Sequence, residues 1–115
     1  MKNKDIHDYL SDIIDAAAKI QEFTRGISSY DQFIENDMLS SAVIRKFEII
    51  GEAIKKIPDD IREKYNNIPW KNIAGARDRL IHGYDDIDYE ILWDTVKNDI
   101  PELKKNVKKI INELS

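Results

Sequence analysis

The sequence contains no cysteine, which excludes a disulfide framework and thiol chemistry. It has two histidines, His7 and His82, and their distance along the chain argues against a histidine-based zinc site. No apolar run approaches the roughly 20 residues of a membrane span. The N-terminus, MKNKDIHDYLSD, is charged and has no signal-peptide core. These absences lead us to expect a soluble, cytoplasmic protein. Excess positive charge is missing too. The net charge is −4, so a nonspecific nucleic-acid coat is not expected. Any nucleic-acid contact has to be local, from a small cluster of arginine and lysine. No segment shows strand alternation, internal repetition or low complexity.

What is present is helical periodicity. The 115 residues suit one domain with one core, spanning 1–115. From Lys4 to about Gly26, Ile6, Leu10, Ile13, Ala17 and Ile20 keep a helical period, and Gly26 supplies a stop. Ser28–Asp31 offers turn chemistry and a cap for a short turn over Asp31–Asn36. A second long helix is predicted from Asp37 or Met38 to Ile57, with Leu39, Val43, Phe47, Ile50 and Ile54 on its apolar face. Pro58 ends it. Asp59 or Asp60 is expected to cap a short helix through Tyr65. Asn67 is expected to cap a helix over Trp70–His82, with Pro69 near its first position. A last helix is predicted over Asp88–Leu114, kinked or restarted at Pro101 with Asn98 or Asp99 as the new cap. The fold class is therefore all-α: an antiparallel bundle of three long helices, a motif helix and short connectors.

The stretch ARDRLIHGYDDID (76–88) is the centre of this pattern. Trp70, Ile73, Ala74, Arg77, Leu80, Ile81 and Tyr84 recur as one helix face. Arg77 is out of place among them, because a buried guanidinium cannot shed its charge and needs partners. Gly83 suits the residue just past a helix end. That puts His82 at the C-terminus, where the macrodipole favours its protonated form. Asp78 lies four residues before His82 and is placed to orient or charge it. Plainer roles remain open at this point. A helix-end histidine also serves as a cap, Arg77 also serves as a bridge to Glu48 or Glu52, and Tyr84 also serves as a half-buried core ring.

Two other polar groupings stand out. Arg45, Glu48 and Glu52 share a face of the second long helix, and Gly51 leaves room there for another helix. They read either as a solvated ion-pair ladder or as the support by which Glu48 or Glu52 holds Arg77 or an arginine of a partner. Lys104, Lys105, Lys108 and Lys109 read first as a solvated face and second as an RNA phosphate contact.

These segments resemble the HepT proteins of the HEPN superfamily, which are toxins of HepT–MntA toxin–antitoxin pairs. The resemblance covers nearly the whole chain. AVIRKFEIIGEAIKKI (42–57), IPWKNIAGARDRLIHGY (68–84) and ILWDTVKNDIPELKK (91–105) carry it. The superfamily signature is arginine, four to six residues, histidine, then often any residue and tyrosine. Here it reads Arg77, four residues, His82, Gly83, Tyr84, with a polar Asp78 after the arginine.

The resemblance implies an α-helical HEPN bundle that forms a homodimer, with two Arg–His motifs meeting at the interface. It implies a metal-independent endoribonuclease acting on tRNA or mRNA, with Arg77 and His82 catalytic; the supporting roles of Asp78, Glu48 and Glu52 come from their spacing alone. It implies a type VII-like system in which an MntA-type nucleotidyltransferase neutralises the toxin by adenylylating Tyr84. No cofactor is expected. The residue types agree. RNA cleavage through the ribose 2′-hydroxyl needs an acid, a base and a cation at the phosphate, and one chain supplies a single histidine and arginine. A two-fold dimer supplies two of each. The alternative is a non-catalytic helical module that docks the nucleotidyltransferase.

Overall fold

The computed structural model describes the backbone of residues 5–80 and 87–114, and the side chains of 5–76 and 87–114. Its first helix, α1 (Ile6–Phe23), starts where Asp5 and Asp8 form a reciprocal capping box, each carboxylate accepting from the other's backbone N–H at 3.1 Å. Leu10, Ile13, Ala16, Ala17 and Ile20 form its buried stripe. α1 stops at Phe23, short of the glycine. Thr24 closes the last turn, its hydroxyl donating to the Ile20 carbonyl at 2.8 Å. Gly26 then takes the left-handed conformation that turns the chain, with φ +86°.

Ser29 caps α2 (Tyr30–Ile34), its side chain accepting from the Gln32 N–H. Asn36 caps α3 (Asp37–Lys55) in the same way, accepting from Leu39. α3 buries Val43, Phe47, Ile50, Ala53 and Ile54 against α1. Pro58 both follows α3 and opens α4 (Asp59–Lys64). The expected Asp59 or Asp60 cap is thus displaced. Proline takes the cap position with its fixed φ of −60°, and the aspartates fall in the first turn, where their charge suits the helix dipole.

A turn then leads to α5 (Trp70–Leu80). Pro69, rather than Asn67, adjoins the helix, and its carbonyl accepts from Ile73 at 3.0 Å. α6 (Tyr89–Asp94) is capped by Asp88. It continues without a break through a π-helical turn, Thr95–Asp99, into α7 (Ile100–Leu114). The predicted restart at Pro101 does not occur, and neither Asn98 nor Asp99 caps anything. A proline ring clashes with the carbonyl four residues back, here Lys97. The wider turn, closed by Ile100 N–H to the Thr95 carbonyl, relieves that crowding while the helix runs on.

α1 lies between α3 and α7, α5 packs on α3, and α2 contacts both α3 and α6. One core of aliphatic side chains joins the long helices, and it includes Leu92, Ile100, Leu103, Val107 and Ile110 from the C-terminal run. Each fully buried leucine or isoleucine stabilises by about 1.5–3 kcal/mol. Phe33 of α2 and Trp93 of α6 stack at 5.0 Å between ring centroids. Among the described residues there is no β-strand, and no helix is long and apolar enough to cross a membrane. The architecture is the all-α bundle that the periodicity predicts.

Candidate functional site

α5 is held as a rigid base by its own apolar face. Trp70, Ile73 and Ala76 are buried. The Trp70 indole Nε1 donates to the Tyr65 carbonyl at 3.1 Å, so its one polar atom is satisfied. The Tyr65 hydroxyl donates in turn to the Glu113 carboxylate near the end of α7. On the α3 side the helices approach at Gly51. A Cβ built there would stand 3.7 Å from the Ala74 carbonyl oxygen. The expectation that Gly51 admits another helix is thus met by α5.

Trp70 shares a cleft with Asp59 and Arg62 of α4, the element that follows α3. α5 therefore begins near the C-terminal end of α3 and runs back along it. Arg77 and Asp78 occupy its last described turns. Their side chains, and all of His82, Gly83 and Tyr84, lie outside the described residues, as do Leu80 and Ile81 as core positions. The expected Arg77–His82 pairing and the role of Asp78 therefore rest on sequence alone.

The proposed supports are described. Glu48 is half-buried on α3 and lies 3.7 Å from Arg45 one turn earlier, a contact between partly solvated groups that contributes little. Glu52 is exposed beside the Gly51 crossing. Their contact with Arg77 falls outside the described residues.

The chain re-enters the described structure at an acidic rim that local sequence patterns do not reveal. Asp88 Oδ1 accepts from the Ile91 N–H at 3.1 Å. The half-buried Tyr30 of α2 has its hydroxyl pKa raised, first by burial and then by Glu90, Asp88 and Asp31. Long-range packing of α2 on α6 creates this environment. The rim presents negative charge on the C-terminal side of the motif segment and disfavours a phosphate there.

At the other end of α5 lies an open cleft of about 530 Å³, lined in part by Asp59, Arg62, Glu63 and Lys71. Its lining carries two cations and two carboxylates, and Arg62 pairs with Asp59. It therefore offers little net charge to an anion. Among the described residues, no group of three or more His, Cys, Asp or Glu side chains is placed to hold a metal ion.

Comparison with known proteins gives this arrangement a context. Residues 13–110 match the family described as "Ribonuclease HepT-like", a span that includes Arg77, His82 and Tyr84. The chain is 50% identical over 114 residues to "Putative RNase MJ0125" of Methanocaldococcus jannaschii, covering 99% of this chain and 97% of the relative. It is 48% identical over 103 residues to "Probable ribonuclease HepT" of Thermococcus cleftensis, covering 90% of this chain and 93% of that one. No solved structure matches the chain. By the extent of these matches, the chain belongs to the HepT-like ribonuclease family.

Proposed function

We propose that this protein is a homodimeric, metal-independent endoribonuclease, the toxin half of a pair whose other half is an MntA-type nucleotidyltransferase. The observation that carries the reading is the sequence motif Arg77, His82, Tyr84, which lies within the family match and whose arginine is on α5. The ribonuclease names of the relatives support the same substrate class.

In the proposed reaction the ribose 2′-hydroxyl attacks the adjacent phosphorus and the bond to the 5′-oxygen breaks. The products are a 2′,3′-cyclic phosphate and a 5′-hydroxyl. The attacking hydroxyl loses its proton to one histidine, and the leaving oxygen gains one from another. Arg77 stays charged and grips two phosphate oxygens as negative charge develops. On an ideal helix residues 77 and 82 stand about 140° apart, so one subunit's pair converges poorly. Two motifs facing across a two-fold axis supply an acid, a base and two guanidinium groups. Asp78 would hold the His82 tautomer, and Glu48 or Glu52 would hold Arg77.

Adenylylation of Tyr84 would place an anionic phosphodiester two residues from His82, where it competes with substrate phosphate for Arg77. The nucleotidyltransferase thereby silences the enzyme.

The test is cleavage of total tRNA in EDTA by the partner-free protein and by Arg77→Ala and His82→Ala. The wild type is expected to leave cyclic-phosphate ends, and both variants to lose cutting with the dimer intact. Absence of cutting by wild type whose Tyr84 is unmodified by mass spectrometry would overturn the ribonuclease reading. An unmodified Tyr84 in the neutralised complex would overturn the adenylylation reading.

A further inference from the structure

α7 gathers its positive charge in one place. Lys104, Lys105, Lys108 and Lys109 fall within six consecutive residues, with no acidic residue between Glu102 and Glu113. Leu103, Val107 and Ile110 take the buried side of the helix. The lysines therefore fill the outward arc, where Lys105, Lys108 and Lys109 are exposed and Lys104 is half-buried. Lys104 Nζ donates to Gln21 Oε1 of α1 at 3.0 Å. That neutral acceptor positions the ammonium without discharging it.

Among the described residues none of the four forms an ion pair. The ion pairs lie elsewhere, at Lys19–Glu22, Arg45–Glu48 and Arg62–Asp59. The neighbouring Glu113 accepts from the Tyr65 hydroxyl. Lys104 and Lys108, and Lys105 and Lys109, are like charges one turn apart and repel. A chain of net charge −4 thus keeps a strip of opposite sign that it does not neutralise internally.

We infer that this outward arc of α7 binds the phosphate backbone of single-stranded RNA, outside the Arg–His motif. The inference rests on the ribonuclease reading for its choice of ligand. Lysine ammonium groups are point charges that neutralise phosphates without reading bases. Lys105 and Lys109 are about 6 Å apart along the helix axis, comparable to the separation of successive phosphates on one strand. The arc lacks the apolar anchor of a protein interface. The exposed large hydrophobics among the described residues are Ile34 and Met38, and neither is on α7. The acidic rim around Asp88 and Glu90 repels the same backbone, so the strip also biases how a strand lies on the surface.

The test is fluorescence anisotropy with a single-stranded RNA whose riboses are 2′-O-methylated, so that the nucleophile is blocked. Lys105→Gln/Lys108→Gln/Lys109→Gln is expected to weaken binding at least ~10-fold at low salt and to lower the salt slope of log K by about 2. The corresponding lysine-to-arginine triple variant retains both. Lys55→Gln/Lys56→Gln/Lys64→Gln, at exposed lysines of the α3–α4 region, leaves both unchanged. Circular dichroism checks that each variant is folded.

Equal affinity and slope in wild type and α7 variant would overturn the inference. So would an equal loss in the α3–α4 variant, or an α7 variant that loses only the nucleotidyltransferase. A wild type with unmodified Tyr84 that binds through α7 but never cuts unmodified RNA supports this surface and overturns the ribonuclease reading alone. Cutting by wild type with undiminished binding by the α7 variant does the reverse.

Discussion

Gly51 of α3 and Ala74 of α5 set how closely the motif helix approaches the bundle. A Cβ on Gly51 would stand 3.7 Å from the Ala74 carbonyl oxygen, an ordinary van der Waals distance. Gly51→Ala is therefore expected to keep or raise stability, by up to about 1 kcal/mol from helix propensity. Gly51→Leu forces α5 away and should cost about 1–3 kcal/mol. Urea unfolding of both variants checks the contrast, and loss of stability in the alanine variant would refute it.

Gly75 and Gly26 should respond oppositely to the same change. Neither has an atom within 4 Å of a built Cβ, but Gly26 has φ +86° and Gly75 is in a regular helix. Gly75→Ala is expected to stabilise by about 0.5–1 kcal/mol. Gly26→Ala is expected to destabilise by about 1–2 kcal/mol, because a Cβ is strained in the left-handed region. Thermal unfolding of the pair reads the signs directly.

Phe33 and Trp93 hold α2 against α6, and Phe33 is fully buried. Phe33→Ala is expected to cost about 3–5 kcal/mol. It should also diminish the near-ultraviolet signal of Trp93, measured by circular dichroism. An unchanged signal would mean that the two rings do not restrain each other in solution.

Tyr65 makes the fold sensitive to alkali. The Tyr65 pKa is raised above 10.0, first by its hydrogen bond to Glu113 and then by burial. Its protonated form is favoured in the folded state, so the contribution is intact below the unfolded value of 10.0 and is lost as pH rises through the folded one. Urea midpoints should stay flat through neutrality and fall above about pH 10. Tyr65→Phe should flatten part of that fall, although Tyr30 continues to contribute.

Tyr84→Phe separates modification from catalysis. Under the proposed function, the variant is expected to retain RNA cleavage within a few-fold and to resist the nucleotidyltransferase proposed as the partner. Growth of cells co-expressing the two proteins reads the outcome. Full neutralisation of the variant would show that Tyr84 is not the point of control.

Much of this bundle was legible because helical stripes and caps are local. Leu10, Ile13, Ala17 and Ile20 declared the buried side of α1, and Ser29 falls in the Ser28–Asp31 stretch expected to cap the short turn, whereas Asn36, expected to end that turn, caps α3. Errors came where two local rules competed. Asp59 is a good cap by type, but Pro58 cannot continue a helix and opens the next one. Pro101 signals a break, yet the chain relieves its clash by widening a turn. Contacts made by folding were not legible. Nothing near Tyr30 announces Asp88, and nothing near Lys104 announces Gln21. The family was legible from the Arg77–His82–Tyr84 spacing together with its flanking segments, while the meeting of the motif's side chains depends on residues beyond those described.

The wide turn at Thr95–Asp99 gives the C-terminal rod a local reserve of length. A π-turn holds about one residue more than an α-turn. One residue removed there keeps Leu92 and Leu103 inward if the turn tightens to ordinary α geometry, at the cost of restoring the clash between the Pro101 ring and the carbonyl four residues before it. The same removal between Val107 and Ile110 finds no such slack. It turns everything beyond it by about 100°, carrying Ile110 out of the core. The evolutionary latitude of this helix should therefore be uneven, with a one-residue deletion keeping the core register ahead of Pro101 and losing it beyond.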